Sequence, residues 1–247
     1  DLSIEIKKKF NPKKILEIGS NDGSFLKNFK KKNTIGIEPC SNVEKITKKL
    51  KFNTIAEYWD QKTAKDILKK YQKIDLIYSA NTISHIKNLD EVFKSINLVL
   101  SENGVLIIED PSLLECLKRN TYDQFYNEHI YVFSFLGLKN FLKKYMLEIF
   151  RIDNIDIHGG SNRYFIKRSK SKRKLENSVA KQEKLEIKYG LEKIQTYINF
   201  RKRVEESKKQ LITIFENCKK NNKKIIGYGA TAKSTTILNY CKINNST

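Results

Sequence analysis

Between residues 13 and 110 the chain keeps repeating one unit, a short apolar run followed by an amphipathic stretch or a turn. The runs are KILEIG (14–19), TIGIE (34–38), NTIA (53–56), IDLIYSA (74–80) and GVLIIED (104–110). Such runs are too short for helices and carry no regular polar face, so they read as strands buried on both sides. SNVEKITKKL, KTAKDILKKY and LDEVFKSINLVL, which lie between them, have helical spacing. Strands alternating with helices predict a parallel sheet covered on both faces. Ligands of such sheets bind beyond the carboxyl ends of the strands, where strand order reverses. The residues that follow each run are therefore the candidates for chemistry.

Beyond residue 134 the spacing predicts a helix, SFLGLKNFLKKY, capped by Ser134. LEIFRIDNIDI and RYFIKR follow, separated by the turn His158-Gly159-Gly160-Ser161, and read as two antiparallel strands closing the sheet edge. Residues 169–222 are charged with helical periodicity, a connector broken near Gly190. KKIIGYGATAKSTTILNYC then reads as a strand, a glycine turn and a helix start. The expected organisation is a sheet domain over 1–168, a helical connector over 169–222 and the opening of a second α/β domain over 223–247. The chain starts at Asp1 and stops inside that motif, so a fragment of a longer protein is expected.

No apolar run approaches the ~20 residues of a membrane span, and no signal peptide opens the chain, so a cytoplasmic location is expected. The cysteines Cys40, Cys116, Cys218 and Cys241 form no Cys-x-x-Cys pair, which argues against a metal site or a disulfide framework in this segment. The formal charge of +20 is mostly lysine spread along the chain. Phosphate-reading surfaces favour clustered arginine, and the one dense basic cluster, KRSKSKRK (167–174), falls where a linker is expected. Nucleic-acid binding is accordingly not the favoured reading.

ILEIGSNDGSFL sets glycines directly after the first strand and ahead of an expected helix, as Glu17-x-Gly19-x-x-x-Gly23. Glycine there lets backbone amides approach a ligand closely. The spacing is not the dinucleotide Gly-x-Gly-x-x-Gly. Glu17 and Asp22 bring negative charge to the turn, which suits a cationic or zwitterionic ligand, and Glu38 ends the second strand where a carboxylate can take ribose hydroxyls. Together these residues resemble the class I S-adenosylmethionine-dependent methyltransferases. The resemblance implies a Rossmann-like α/β domain with a mostly parallel seven-stranded sheet. It also implies S-adenosylmethionine as cofactor, held by Glu17, Gly19, Asn21, Asp22, Gly23, Glu38 and Asn81. A Rossmann-like turn without a cofactor is the bland alternative.

After the fourth strand SANTISHI contains no Asn-Pro-Pro-Tyr element, and no cysteine ends strand four or five, which argues against amino-group and pyrimidine C5 methylation. Asn81 and His85 stand there instead, and FYNEHIY (125–131) follows strand five. SANTISHI, FYNEHIYVFS, HGGSNR, the helical stretch and GYGATAKSTTILNYC, in that order, are similar to the sugar C-methyltransferases, which methylate a carbon beside a ketone of a nucleotide-linked deoxysugar. The likeness implies His129 as general base, Glu128 orienting or tuning it, and Tyr126 and His85 donating hydrogen bonds to the enolate. Histidine titrates near neutrality and suits that proton transfer. In isolation His85 reads equally well as a structural histidine, and Tyr131 as a packing residue. His158, Gly159, Gly160, Ser161 and Arg163 bind substrate phosphate or simply form a tight hairpin; both readings stand.

Gly227-x-Gly229-x-x-Ala232 fits the dinucleotide fingerprint in its alanine form, while Ala232-Lys233-Ser234 spoils a phosphate loop by removing its last glycine. The family resemblance implies that this region helps hold the nucleotide sugar, with Gly229 and Lys233 against the diphosphate. The family's N-terminal zinc segment of clustered cysteines has no counterpart before Lys13, so no metal is expected in this segment. Other readings kept open are methylation of another small keto substrate, an RNA-binding methyltransferase, and a cofactor-binding module without turnover.

Overall fold

In the computed structural model, which describes residues 2–229 and 231–244, the chain opens with a helix, α1 (Leu2–Lys9), for which the sequence pattern gave no signal. The five apolar runs follow as β1 (Ile15–Ile18), β2 (Thr34–Ile37), β3 (Thr54–Ile55), β4 (Ile74–Ala80) and β5 (Leu100–Pro111). All five are parallel. A closing hairpin, β6 (Leu147–Ile155) and β7 (Ser161–Arg168), completes a seven-stranded sheet of order β3-β2-β1-β4-β5-β7-β6. The return strand β7 inserts between β5 and β6 and is antiparallel to both. Strand order reverses between β1 and β4, so their carboxyl ends open the crevice expected of this topology.

Successive strand residues alternate between the two faces. Leu16, Ile18, Ile35, Ile37 and Ile77 join one core with residues of α3 (Gln61–Tyr71) and α4 (Leu89–Val99), whereas Thr47 of α2 (Ser41–Lys49) lies beside Gly23 with Phe52 of the other core. Ile15, Leu76, Tyr78, Ile107 and Phe165 join the other, which is covered by Ile6 of α1. Phe93, Tyr164 and Phe165 are fully buried, and each such side chain contributes about 1.5–3 kcal/mol. The helix starts are set by side chains: the Asp60 carboxylate accepts from Thr63 N at 2.7 Å and Asn88 Oδ1 from Glu91 N at 3.2 Å.

Where a helix was expected after Gly23, the chain makes only two 3₁₀ turns, Leu26–Asn28 and Lys31–Asn33. The Asn28 amide donates to the carbonyls of Ser24 and Phe25 at 3.2 and 3.0 Å, the acceptors a continuing helix would need. After β5 come α5 (Leu113–Arg119) and α6 (Phe135–Leu142). Ser134 caps α6, accepting from Gly137 N at 3.1 Å.

Residues 169–222, expected as a connector, form the helices α7 (Asn177–Tyr189) and α8 (Ile194–Lys220), broken at Gly190 in a left-handed conformation with φ +83°. Helix α7 is tied to α6 through Glu186, which is fully buried. Its carboxylate accepts from Phe135 N and Leu136 N at 2.8 and 3.0 Å, and Gln182 Nε2 donates to it at 3.0 Å. Residues 223–229 form no strand. Ile226 and Tyr228 are exposed, and no neighbouring ladder among the described residues takes up the backbone. The helix that follows, α9 (Ala232–Cys241), is present and begins with a reciprocal cap between Thr231 and Ser234.

Candidate functional site

Two cavities adjoin at the carboxyl ends of β1, β4 and β5. The larger, about 570 Å³, is lined by the residues after β1 and β2 together with Tyr78, Asn81, Thr82 and His85. The smaller, about 200 Å³, is lined by His129, Tyr126, Gln124, His158 and Lys233. Asn81 and His85 belong to both. A wider groove at the opposite end of the sheet offers less chemistry, because its Arg168 guanidinium already donates to the carbonyls of Asn97 and Leu100.

The first cavity is built for positive charge. Glu17 is buried beneath it and its Oε2 has no hydrogen-bond partner among the described residues. Burial first, then the carboxylates of Asp22 and Glu38, push its pKa up to about 9. Asp22 is held below its ordinary range by its hydrogen bonds with Ser24. Glu38 accepts from Asn21 N at 3.0 Å and from Cys40 N at 2.9 Å, which fixes its carboxylate at the end of β2 with lone pairs to spare. Gly19 has φ +72°, and a Cβ there would lie 2.3 Å from Thr82 Oγ1. The backbone therefore approaches the β4 loop as no other residue permits. Phe25 stacks on Tyr78 with ring centroids 3.9 Å apart and forms one wall. Gly23 does not line the cavity; it turns the chain beside Phe52 with φ +78°.

An orphaned buried carboxylate, a glycine cradle and a second carboxylate at the end of β2 fit S-adenosylmethionine. Glu17 is suited to its ammonium, Glu38 to its ribose hydroxyls and the Gly19 turn to close backbone contact.

The second cavity contains an oriented imidazole. His129 Nδ1 lies 2.8 Å from the carbonyl of Gln124. A carbonyl only accepts, so Nδ1 carries the proton and Nε2 presents its lone pair, to which the Tyr126 hydroxyl donates at 3.0 Å. Desolvation lowers the pKa of His129, and the neighbouring His85 and Lys233 lower it further, against the opposing Gln124 carbonyl and Glu128. His85 is lowered by burial as well, and its ring meets that of His129 edge-on at 5.0 Å. Both rings are neutral bases at neutral pH. Glu128 is exposed. It acts on the histidines by charge, while the orienting contact comes from Gln124, whose backbone oxygen no side-chain pattern could have pointed to.

Of the remaining sequence candidates, His158 lines the second cavity, and Gly159 and Gly160 form its turn with φ +81° and +110°. The Ser161 hydroxyl donates to Ile157 O at 3.1 Å and stays within the hairpin. The Arg163 guanidinium is taken by Glu109, at 2.8 and 2.9 Å, beside the Tyr78 hydroxyl. Gly229 is exposed and lines neither cavity, whereas Lys233 reaches the second. Asp110, the neighbour of Pro111 in the lining of the second cavity, is almost fully buried. It accepts from the Ser84 hydroxyl at 2.6 Å and is pushed up to about 7 chiefly by desolvation. Its place inside an apolar run concealed it.

The fold and the first cavity define a class I S-adenosylmethionine-dependent methyltransferase domain. The comparisons agree: a family model described as a methyltransferase domain matches residues 3–151, more than half of the chain, and the chain belongs to that family. A second model, described as the C-methyltransferase C-terminal domain, matches residues 156–247. C-methyltransferase NovU of Streptomyces niveus is 25% identical over 233 residues. The match takes in 94% of this chain and 56% of NovU, so the chain spans about half the length of that curated relative. Among solved structures, an S-adenosylmethionine-dependent methyltransferase from Clostridium acetobutylicum ATCC 824 has a TM-score of 0.52 at 16% identity, over 66% of this chain and 88% of that one. The plantazolicin methyltransferase BpumL, in complex with a monoazolic desmethylPZN analog and SAH, has a TM-score of 0.51 at 17% identity, over 68% and 81%. These two share the fold.

Proposed function

We propose that the chain is the methyl-transferring part of a C-methyltransferase that acts beside the ketone of a nucleotide-linked deoxysugar. The carrying observation is the adjoining of the two cavities at Asn81 and His85, with an oriented imidazole lone pair in the smaller one. When bound, S-adenosylmethionine supplies an electrophilic methyl group on a sulfonium, which its acceptor must meet as a nucleophile. A carbon beside a ketone becomes one by losing a proton. His129 Nε2 takes that proton, its tautomer fixed from behind by the Gln124 carbonyl. The Tyr126 hydroxyl, hydrogen-bonded to Nε2 in the resting site, turns to the enolate oxygen with His85 beside it. The charge that develops there is met by donors already in place. Positioned base catalysis is worth about 10²–10⁴ in rate. The similarity to C-methyltransferase NovU and to the C-methyltransferase C-terminal domain supports methylation at carbon, and the resemblance of the ordered sequence motifs to the sugar C-methyltransferases supports the sugar.

The carboxylates of Asp22 and Glu38, which line the larger cavity, disfavour a polyanion there, which weighs against an RNA substrate despite the net charge. Among the described residues no helix is long and apolar enough to cross a membrane; a cytoplasmic location belongs to the same proposal.

The test is solvent exchange followed by NMR in deuterated water, with 4-keto-6-deoxyhexose nucleotides and S-adenosylhomocysteine, comparing the wild type with His129→Asn. The expected result is deuterium entering the carbon beside the ketone, lost in the variant. Binding of S-adenosylhomocysteine without exchange on any keto sugar refutes the sugar reading and leaves another small keto substrate as the acceptor.

A further inference from the structure

Lys233 occupies a position that a diphosphate contact does not require. The cavity it shares with His85, Tyr126 and His129 measures about 200 Å³. His129 and Lys233 line this one small space together, so a group that reacts at the His129 imidazole also meets Lys233.

Helix stability does not explain the lysine. It is the second residue of α9, where the positive end of the helix dipole disfavours a cation. No ion pair or hydrogen bond engages its ammonium among the described residues. Yet the helix that carries it is held firmly. Tyr240 donates to Glu205 at 2.6 Å, its ring lies 5.7 Å from that of Tyr122, Lys208 stands 4.6 Å over the same ring, and Cys241 is buried. A half-buried lysine with no counter-charge bonded to it among the described residues thus lines a cavity in which burial disfavours the charged forms of His85 and His129.

We propose that Lys233 is a catalytic residue, the cation that faces the enolate oxygen formed in the acceptor cavity. This rests on the reading of that cavity as the place of proton abstraction. The proton passes from the α-carbon to His129 Nε2, the C–H pair becomes the enolate double bond, and the negative charge settles on the former carbonyl oxygen. Lys233 donates a hydrogen bond to that oxygen and keeps its proton. As the pair returns to carbon and the new C–C bond forms, the methyl group that a bound S-adenosylmethionine would supply would part from its sulfur, leaving that bond's electrons there, and the carbonyl is restored. The enolate then lies between two positive groups, Lys233 and protonated His129, which would otherwise repel each other.

The first arm of the test needs no sugar. Oxalate, a planar enolate mimic, is titrated into the wild type, Lys233→Met and Lys233→Arg while the three histidine Hε1 signals are followed by NMR. The expected result is a shift of the His129 signal on binding, an affinity about tenfold or more lower in Lys233→Met, and recovery in Lys233→Arg. Unchanged His85 and His158 signals in the free methionine variant report that it is folded, and the arginine variant carries the test if it is not. Equal oxalate affinity in wild type and Lys233→Met, or no response of His129, overturns the proposal. In the second arm, exchange on a keto sugar nucleotide, Lys233→Met lowers kcat by about 10²–10³ with KM little changed, as for loss of an oxyanion donor. A raised KM with kcat intact overturns it in favour of a diphosphate contact. A wild type that exchanges no keto sugar but binds oxalate through Lys233 removes the sugar reading and supports the placement of the cation.

Discussion

Replacing Glu17 with glutamine should stabilise the ligand-free protein while weakening its hold on the cofactor. In the folded chain the Glu17 pKa rises from 4.5 to about 9, and the carboxyl is buried with one oxygen unpartnered. A folded-state pKa above the unfolded one means that the native state holds the extra proton between those values, so stability falls as pH rises from about 4.5 to about 9. At pH 7 two and a half pH units of that window have been crossed, at ~1.4 kcal/mol each, which makes a penalty of about 3.5 kcal/mol. Glutamine keeps the shape and cannot ionise, so the variant escapes the penalty. For a chain of this size 1 kcal/mol moves Tm by about 2–4 °C, so the variant should melt about 7–14 °C higher at pH 7. Near pH 5 the two proteins should melt almost together, and the gap should widen towards pH 9. Thermal melts of both proteins across that range, with calorimetric titration of S-adenosylhomocysteine, read both effects. Parallel melting curves at every pH would show that Glu17 is ionised in the folded protein and would refute the reasoning.

Gly19→Ala should abolish cofactor binding in the same titration yet leave a cooperative melt. The new methyl collides with Thr82 at a positive φ that costs about 1–2 kcal/mol in any case. Glu186→Ala leaves the amides of Phe135 and Leu136 buried without acceptors. It should cost about 3 kcal/mol in urea unfolding and speed amide exchange in the first turn of α6. Tyr126→Phe removes the donor that favours neutral His129, so His129 should titrate at higher pH by NMR and solvent exchange on a keto sugar should slow.

The parallel sheet was legible because its strands carry mostly apolar runs with no regular polar face, and the hairpin because the Gly159-Gly160 turn stands between two strand-like runs. The helix expected after Gly23 fails because the Asn28 side chain takes the carbonyls it would use, a competition that hydrophobic spacing cannot register. The strand expected at 223–229 fails for lack of a neighbouring ladder; its apolar residues were real and its partner was not. At the site, acids and glycines after β1 and β2 were readable because their chemistry sits in side chains and in φ. Gln124 was not, because its contribution is a backbone carbonyl, and Asp110 was not, because only burial distinguishes it from any other strand residue. Arg163 was legible as a charge near the sheet rim, but its partner Glu109 lies 54 positions earlier, and only the β5–β7 register brings the two together.

The two cavities draw their walls from very different stretches of chain, and a ribosome makes them at different times. The pocket for the methyl donor is complete in sequence at His85, and the last strand of its sheet ends at Arg168. The acceptor pocket waits for Lys233. At roughly 5–20 residues per second, the intervening 65 residues take about 3–13 s to synthesise. During that interval the nascent protein has every residue of the larger cavity and lacks the lysine of the smaller one. The cradle proposed for the methyl donor is thus written into the chain before the wall that faces it.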